Sequence, residues 1–173
     1  MSRRSTSVHD TEYDEFVAAS WRRLCWTAYM LTGDRQLAED LAQTALVRTY
    51  VAWTRVRRDD AFAYARKVLV NANIDRLRRR HLTEVTGLAI EAASRPGSEV
   101  ENRDEVVRLL VGLTELERKV MVLRYYFDLS EADTADEVGV GVGTVKSTAA
   151  RARAKIREGA LAAGDSESMR GVS

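Results

Sequence analysis

Residues 130–157, SEADTADEVGVGVGTVKSTAARARAKIR, contain a short helical pattern, a glycine-rich turn and a longer basic pattern. Ser130 offers the N-cap of a helix over about residues 131–138. Gly139 suits the end of this helix, because glycine readily takes the left-handed conformation of a helix C-terminus. Gly141 is a suitable N-cap for the next helix. The order of helix, turn and helix predicts a helix-turn-helix, in which the second helix enters the major groove of DNA.

The second helix presents different side chains to the domain and to DNA when successive residues are set 100° apart from Val142. The side that packs on the domain contains Val145, Ala149, Ala152 and Ile156. In a helix that enters the groove, the first two turns reach base edges and later basic residues reach phosphates. We expect base contacts from Thr144, Lys146, Ser147 and Arg151, and phosphate contacts from Arg153, Lys155 and Arg157.

This basic run has an alternative interpretation as the solvated face of a terminal helix. Residues 144–157 carry five basic and no acidic side chains, in a chain with 27 Lys plus Arg and 26 Asp plus Glu. A helix that needs only to be soluble usually carries interspersed Glu, which forms i,i+4 pairs. The absence of Glu and the preceding turn favour DNA contact. A phosphate-binding loop at GVGVG, residues 139–143, is disfavoured because no strand precedes it and the Gly-Lys-Ser/Thr order is missing.

A second basic cluster lies in a helical pattern at Asp60–Arg80, behind a polar loop at residues 54–60. Asn71 and Asn73 interrupt this pattern with amides, which are poor residues for a helix interior. They either form local hydrogen bonds or contact base edges, for which an amide supplies both a donor and an acceptor. The arginines of the loop and of the helix end are further candidates for DNA contact: Arg55, Arg57, Arg58, Arg76, Arg78, Arg79 and Arg80.

The composition favours helices and gives no sign of catalysis. The chain has 173 residues and one proline, and 45% of its residues are hydrophobic. No run of about 18 apolar residues or secretory signal is present, so we expect neither a membrane span nor a membrane partner. The single cysteine, Cys25, fits the reducing cytoplasm. One Cys and two His give no zinc spacing, and no nucleophile or carboxylate pair indicates an enzyme, so we expect no metal, cofactor or catalytic residue.

The chain divides into two helical parts. Residues 12–82 read as several helices, and residues 104–160 are helical again. Between them, residues 83–103 contain the sole proline and mostly small or polar side chains, which is typical of a flexible linker. We therefore predict an all-α fold of two small helical domains joined by a flexible linker, the second a helix-turn-helix. The tails, residues 1–11 and 161–173, are expected to be disordered.

Helix signals within each part support this division. Apolar side chains recur every fourth residue in Asp34–Trp53, at Leu37, Leu41 and Ala45. Thr114 and Glu117 have the spacing of a capping box at a helix start. An apolar stripe follows that start, at Leu116, Val120, Leu123 and Phe127.

Four segments together resemble a known family. They are GDRQLAEDLAQTALVRTYVAW (33–53), AYARKVLVNANIDRLRRR (63–80), LTELERKVMVLRYYFDLS (113–130) and TADEVGVGVGTVKSTAARARAKIRE (134–158). Each is modest alone, but their order and spacing are specific. Over about residues 12–160 the chain resembles the two-domain bacterial sigma factors of the extracytoplasmic-function (ECF) type, in the sigma-70 class.

The resemblance implies a promoter-specificity subunit without catalysis, whose partners are core RNA polymerase and promoter DNA. The first domain would bind the polymerase clamp through the helix that holds Asp40, Gln43 and Arg48. The same domain would recognise and melt the promoter near −10 through the loop at 54–60 and the helix at 63–80. The positions at or beside its DNA-facing side are Asn71, Asn73, Asp75, Arg76, Arg78 and Arg79.

The second domain would dock its helix-turn-helix at −35 and touch the polymerase flap, while residues 83–103 would match the linker that threads the RNA channel. An anti-sigma factor is a further partner that the family allows. The alternative function is a stand-alone helix-turn-helix regulator that binds duplex DNA without polymerase. The basic, amide-bearing first domain argues against it, because such a regulator would not require that domain.

Overall fold

The structure is a computed structural model that describes the backbone of residues 2–85 and 101–170. In these two ranges the chain forms helices and turns and no strand. The α-helices are α1 (Ser2–Thr32), α2 (Arg35–Ala52), α3 (Ala61–Val85), α4 (Glu101–Val111), α5 (Glu115–Met121), α6 (Glu131–Val138) and α7 (Val142–Arg170). A 3₁₀ turn at Arg58–Asp60 precedes α3, and a π-helical segment at Val122–Tyr126 follows α5.

The chain divides into two compact units, which confirms the predicted all-α, two-domain fold. The first comprises Met1–Tyr29 and Asp34–Arg95, and the second comprises Met30–Gly33 and Pro96–Ser173. Most of the predicted linker lies outside the described residues, but its ends do not. Residues 83–85 continue α3, and residues 101–103 begin α4. No helix in the described ranges is long and apolar enough to cross a membrane.

The first unit is built on close packing between α2 and α3. Asp34 caps α2 by accepting a hydrogen bond from the Leu37 backbone N–H at 3.0 Å. Both helices carry fully buried alanines, and small side chains let helix axes approach closely. The fully buried alanines are Ala42 and Ala45 on α2 and Ala61 and Ala65 on α3. Of the predicted stripe on α2, Leu41 and Ala45 are buried and Leu37 is half-buried.

The second unit contains the predicted helix-turn-helix, with its caps where the sequence predicts them. Thr114 and Glu117 form the capping box of α5. Ser130 caps α6 by accepting from the Asp133 backbone N–H at 3.0 Å. Gly139 ends α6 with a φ of 77°, in the left-handed region that favours glycine. A core of Val120, Ala135, Val145 and Ala149 joins α5, α6 and α7.

Helices extend into both segments for which the sequence predicts disorder. α1 already begins at Ser2, and α7 continues to Arg170, so residues 2–11 and 161–170 are helical. Neither tail contains proline. Once a helix has nucleated, each further residue adds a hydrogen bond at little extra cost, so a long helix extends through polar sequence. Residue 1 and residues 171–173 lie outside the described part of the chain.

Candidate nucleic-acid interface

The first turns of α7 separate buried from exposed side chains as the periodicity predicts. Val145, Ala149 and Ala152 are buried. The predicted base-contact residues are all exposed: Thr144, Lys146, Ser147 and Arg151. Thr148 is also buried, which the sequence analysis missed. Its hydroxyl accepts a hydrogen bond from Arg151 Nη2 at 3.3 Å, so it helps to orient the arginine above it.

Two exposed residues of α7 make weak contacts within the unit. Lys146 Nζ lies 3.4 Å from Glu131 Oε2, and the two side chains are 63% and 38% exposed to solvent. Exposed ion pairs contribute little, so Lys146 can exchange this partner for another anion. Ser147 Oγ donates to the Thr144 carbonyl at 3.1 Å. These contacts leave the polar side of α7 accessible.

Of the three predicted phosphate-contact residues, Lys155 differs from the other two. Arg153 and Arg157 are exposed. Lys155 instead donates from Nζ to Glu117 Oε2 at 2.8 Å. The side chain of Glu117 is only 5% exposed, and the hydrogen bond from Lys155 is the largest cause of its lowered pKa. Glu117 is recognisable in the sequence as a capping residue, but its partner lies 38 positions away.

In the first unit, Arg58 holds the turn between α2 and α3. Its guanidinium carbon lies 4.2 Å from the centre of the Trp53 ring. Nη1 donates to the Trp53 carbonyl at 2.9 Å, and Nη2 donates to Glu12 Oε2 at 2.7 Å. Trp53 itself packs edge-on against Tyr13 of α1. Arg58 therefore stabilises the turn, which the sequence-based assignment to DNA contact did not anticipate.

The other two arginines of the turn are more accessible. Arg55 and Arg57 are both exposed. Arg57 Nε lies 3.8 Å from Asp60 Oδ2, with both side chains strongly exposed, so the contact is weak. These two side chains are the accessible cations at the N-terminal end of α3.

The two asparagines of α3 have different surroundings, which settles the choice left open by the sequence for Asn73. Asn73 is 1% exposed, and its Oδ1 accepts from Arg76 Nε and Nη2 at 3.3 and 3.2 Å. The structure therefore corrects its assignment as a DNA-facing residue. Asn73 lies four positions from both Leu69 and Leu77, a spacing that already places it on their side of the helix. Asn71 is exposed.

The exposed side of α3 carries most of the other predicted residues. Positions three or four apart share a helix face, and these positions follow that spacing. This face consists of the predicted Asn71, Asp75 and Arg78 together with Tyr64 and Lys67, which were not predicted, and all five are exposed. Arg79 and Arg80 are exposed beside them, whereas Arg76 is half-buried on the other side. Tyr64 was missed, although a tyrosine within a basic helix is a signal for contacts with unpaired bases.

A second surface of the first unit lies on α2. The predicted polymerase-binding residues Asp40, Gln43 and Arg48 are exposed there. Beside them, Val47 and Val51 are 64% and 80% exposed. Gln43 and Val47 also border a groove of about 650 Å³ between α1 and α2. Exposed apolar residues grouped with polar ones are typical of protein interaction sites.

Known protein families match both units of the chain. The chain matches the family models described as sigma-70 region 2, over residues 16–83, and sigma-70 region 4, over residues 103–156. It is 37% identical over 150 residues to the RNA polymerase sigma-E factor of Streptomyces avermitilis, a match that covers 85% of this chain and 84% of that protein. It is 33% identical over 147 residues to the ECF RNA polymerase sigma factor SigM of Mycobacterium tuberculosis, which covers 83% and 74% of the two chains.

The fold is also similar to solved structures. The sigma factor RpoE of Bartonella quintana, crystallised with the anti-sigma factor NepR, superposes with a TM-score of 0.65. The match covers 84% of this chain and 94% of that chain. At 24% sequence identity, the likeness concerns the fold.

Proposed function

Because the chain belongs to the ECF-type sigma-70 factors, which direct core RNA polymerase to specific promoters and initiate transcription, we propose a role in that process for each exposed surface. The observation that carries this assignment is the presence of region 2 and region 4 in one chain, in that order. A sigma factor supplies promoter specificity, and catalysis belongs to the polymerase. A stand-alone helix-turn-helix regulator would leave the region 2 domain without a role.

We assign −35 recognition to the exposed side of α7. Lysine and arginine can donate hydrogen bonds to guanine, and the hydroxyls of serine and threonine can donate or accept one. The exposed residues therefore suit the major groove. Ala150 and Ala154 are exposed on the same helix, and their small side chains let its backbone approach DNA closely. The proposed base contacts are Thr144, Lys146, Ser147 and Arg151, and the proposed phosphate contacts are Arg153 and Arg157.

We assign −10 recognition and melting to the exposed side of α3 and to the turn before it. Asn71 offers a donor and an acceptor for a base edge, and Tyr64 offers a ring on which an unpaired base can stack. Capture of a flipped base would offset the unstacking cost of a few kcal/mol. The remaining proposed contacts are Arg55, Arg57, Asp75, Arg78, Arg79 and Arg80. Arg76 is assigned to holding Asn73 in place.

We assign core polymerase binding to the exposed face of α2, through Asp40, Gln43 and Arg48 together with Val47 and Val51. Docking would remove two strongly exposed valines from water, at about 25 cal/mol per Å² of apolar surface buried. The polar residues would set the orientation. We keep residues 12–82 and 104–160 as the proposed limits of the two domains and residues 83–103 as the proposed linker.

Two further properties follow from the family as proposals. We expect the protein to work in the cytoplasm, where its polymerase and promoters are. We also propose that an anti-sigma factor can cover its exposed surfaces, as the Bartonella quintana relative was crystallised with such a partner.

The test of the proposed function is co-elution of the full chain with core RNA polymerase that lacks any sigma factor. We expect a stoichiometric complex. Asp40→Ala should weaken it, while Glu15→Ala, which removes an exposed carboxylate on α1, should not. Duplex DNA binding without any polymerase complex would instead support the stand-alone regulator. Undiminished binding by Asp40→Ala would remove that residue from the interface.

A further inference from the structure

Lys155 is one of the basic residues of α7, but its ammonium group contacts another helix of the same unit. Arg151, Arg153 and Arg157 are exposed, whereas the Lys155 ammonium contacts Glu117 of α5 at 2.8 Å. The Lys155 side chain is 46% exposed, but the carboxylate it binds is almost fully covered. A buried carboxylate is strongly destabilised if it loses its cation, so this contact is held more firmly than an exposed pair.

One oxygen of Glu117 serves two helices. Oε2 accepts from the Thr114 backbone N–H at 2.9 Å, which closes the capping box of α5. The same Oε2 accepts from Lys155 Nζ. This oxygen therefore joins the start of α5 to the later part of α7, in addition to the packing of α7 against α4, α5 and α6. Hydrogen bonds between charged groups are short, so this joint limits the distance between the two helices at that point.

The position of this joint along α7 determines what it can control. Lys155 lies 13 residues after Val142, which is about 20 Å along a helix that rises 1.5 Å per residue. The N-terminal part of α7 is held by Val145 and Ala149, whose apolar packing is not directional. Fixing a second point farther along the helix sets its direction and therefore the reach of the residues in its first turns.

We infer that Lys155 is a positioning residue for promoter recognition: it holds α7 at the angle that brings its N-terminal side chains to the −35 bases, and it does not contact a phosphate. The inference rests on the proposed assignment of α7 to −35 recognition. It removes Lys155 from the phosphate-contact set and adds Glu117, a residue of another helix, to the recognition apparatus.

The test uses the salt dependence of promoter binding by the full chain assembled with core polymerase. Each phosphate contact contributes about 0.9 to the slope of log K against log salt concentration. Arg153→Met should therefore reduce the slope by about that amount and weaken matched and −35-scrambled promoters alike. Lys155→Met should leave the slope unchanged and reduce the preference for the matched promoter by about fivefold or more. A slope reduced as in Arg153→Met, or an unchanged preference, would overturn the inference.

A double-mutant cycle with Glu117→Gln gives a second test. Glutamine keeps an oxygen for the Thr114 N–H but loses the charge that attracts Lys155. If Lys155 acts through Glu117, Lys155→Met should change promoter preference little in the Glu117→Gln background, whereas independent effects would multiply. Effects of the two substitutions on promoter preference that multiply in the double variant would refute the positioning role.

The same cycle in unfolding experiments on the free chain needs neither DNA nor polymerase. Coupling between the two positions there is expected whether or not the proposed promoter function is correct, and its absence would refute the joint itself. A wild-type holoenzyme that ignores the −35 sequence would count against the proposed function, while coupling in the free chain would still support the joint. Failure of the inference about Lys155 can therefore be distinguished from failure of the proposed promoter function.

Discussion

Two ion pairs, one in each unit, have nearly the same length and very different surroundings. Arg58 meets Glu12 at 2.7 Å, and Lys155 meets Glu117 at 2.8 Å. The first pair has side chains that are 41% and 46% exposed, whereas the side chain of Glu117 is 5% exposed. An exposed pair contributes little because water and salt compete for it, while a buried acceptor depends on its cation. Burial of the acceptor therefore distinguishes the two pairs better than distance does.

The pairs also differ in how many other contacts support the cation. Arg58 is held by the Trp53 ring and carbonyl as well as by Glu12. Its function in the turn should survive loss of the carboxylate. The contact of Lys155 described above is with one carboxylate oxygen. Its function should be lost with that single contact.

The largest effect should come from breaking the buried pair. Lys155→Met leaves the Glu117 carboxylate with only its capping contact, and we expect the free energy of unfolding to fall by about 2 kcal/mol, as for a buried acceptor that loses a hydrogen bond. Native-state hydrogen exchange of amides in α5 and α7 measures this locally. Arg153→Met on the exposed side of α7 is the control and should change stability by less than about 0.5 kcal/mol. Equal effects of the two variants would mean that Lys155 behaves as an ordinary surface residue.

The stability of the fold at acid pH should also report on the pair formed by Lys155 and Glu117. The pKa of Glu117 is lowered below its ordinary value of 4.5, chiefly by the hydrogen bond from Lys155, with Thr114 adding to it and burial opposing it. A carboxyl group with a lower pKa in the folded chain stabilises the fold above its unfolded-state pKa, and this is lost as pH falls through the folded-state pKa.

We therefore expect wild type to be more stable than Glu117→Gln at about pH 6, with the difference shrinking as pH falls below about 4.5. Denaturant unfolding at a series of pH values measures both curves. A difference that grows toward acid would contradict the assigned direction of the pKa.

Arg58→Ala should have an intermediate effect, confined to the turn. It removes the contact with the Trp53 ring and hydrogen bonds to backbone carbonyls, and we expect a local loss of about 1 kcal/mol. Amide exchange across residues 54–60 should accelerate accordingly. Arg57→Ala is the matched control, since its partner Asp60 is 3.8 Å away and exposed. Unchanged exchange in Arg58→Ala would show that the turn holds without this arginine.

The smallest effect should come from Glu12→Gln, which breaks only the exposed pair. We expect a loss of about 0.5 kcal/mol at low ionic strength. At 1 M salt the screening length is about 3 Å, so the difference from wild type should vanish. Denaturant unfolding of both chains at the two salt concentrations measures it. A loss that persists at 1 M salt would place this pair in the same class as the buried one.

The features predicted correctly from the sequence depend on residues close together in the chain. The capping box of Thr114 and Glu117, the cap at Ser130 and the turn at Gly139 each act within a few residues, so local rules locate them. The buried side of α7 follows from periodicity for the same reason. Family resemblance carried the prediction further, to the two domains and their function.

What the sequence did not predict depends on tertiary packing. Glu117 and Lys155 are 38 positions apart, and Glu12 and Arg58 are 46 positions apart, so no local pattern joins them. As a result, the ion pairs of two cations that the sequence predicts as DNA contacts were not expected. Asn73 was misassigned because an amide suits both a buried hydrogen bond and a base edge, and only the packing of α3 distinguishes them.

The single oxygen shared by Thr114 and Lys155 also restricts how this sequence can diverge. Aspartate at position 117 would be too short to serve both donors, and a neutral residue would leave the lysine without its anion. Substitution at either position should therefore be tolerated mainly when the other changes with it. Among relatives of this chain, the identities of the residues aligned with Glu117 and Lys155 should vary together, while those aligned with Arg58 and Glu12 should vary more independently.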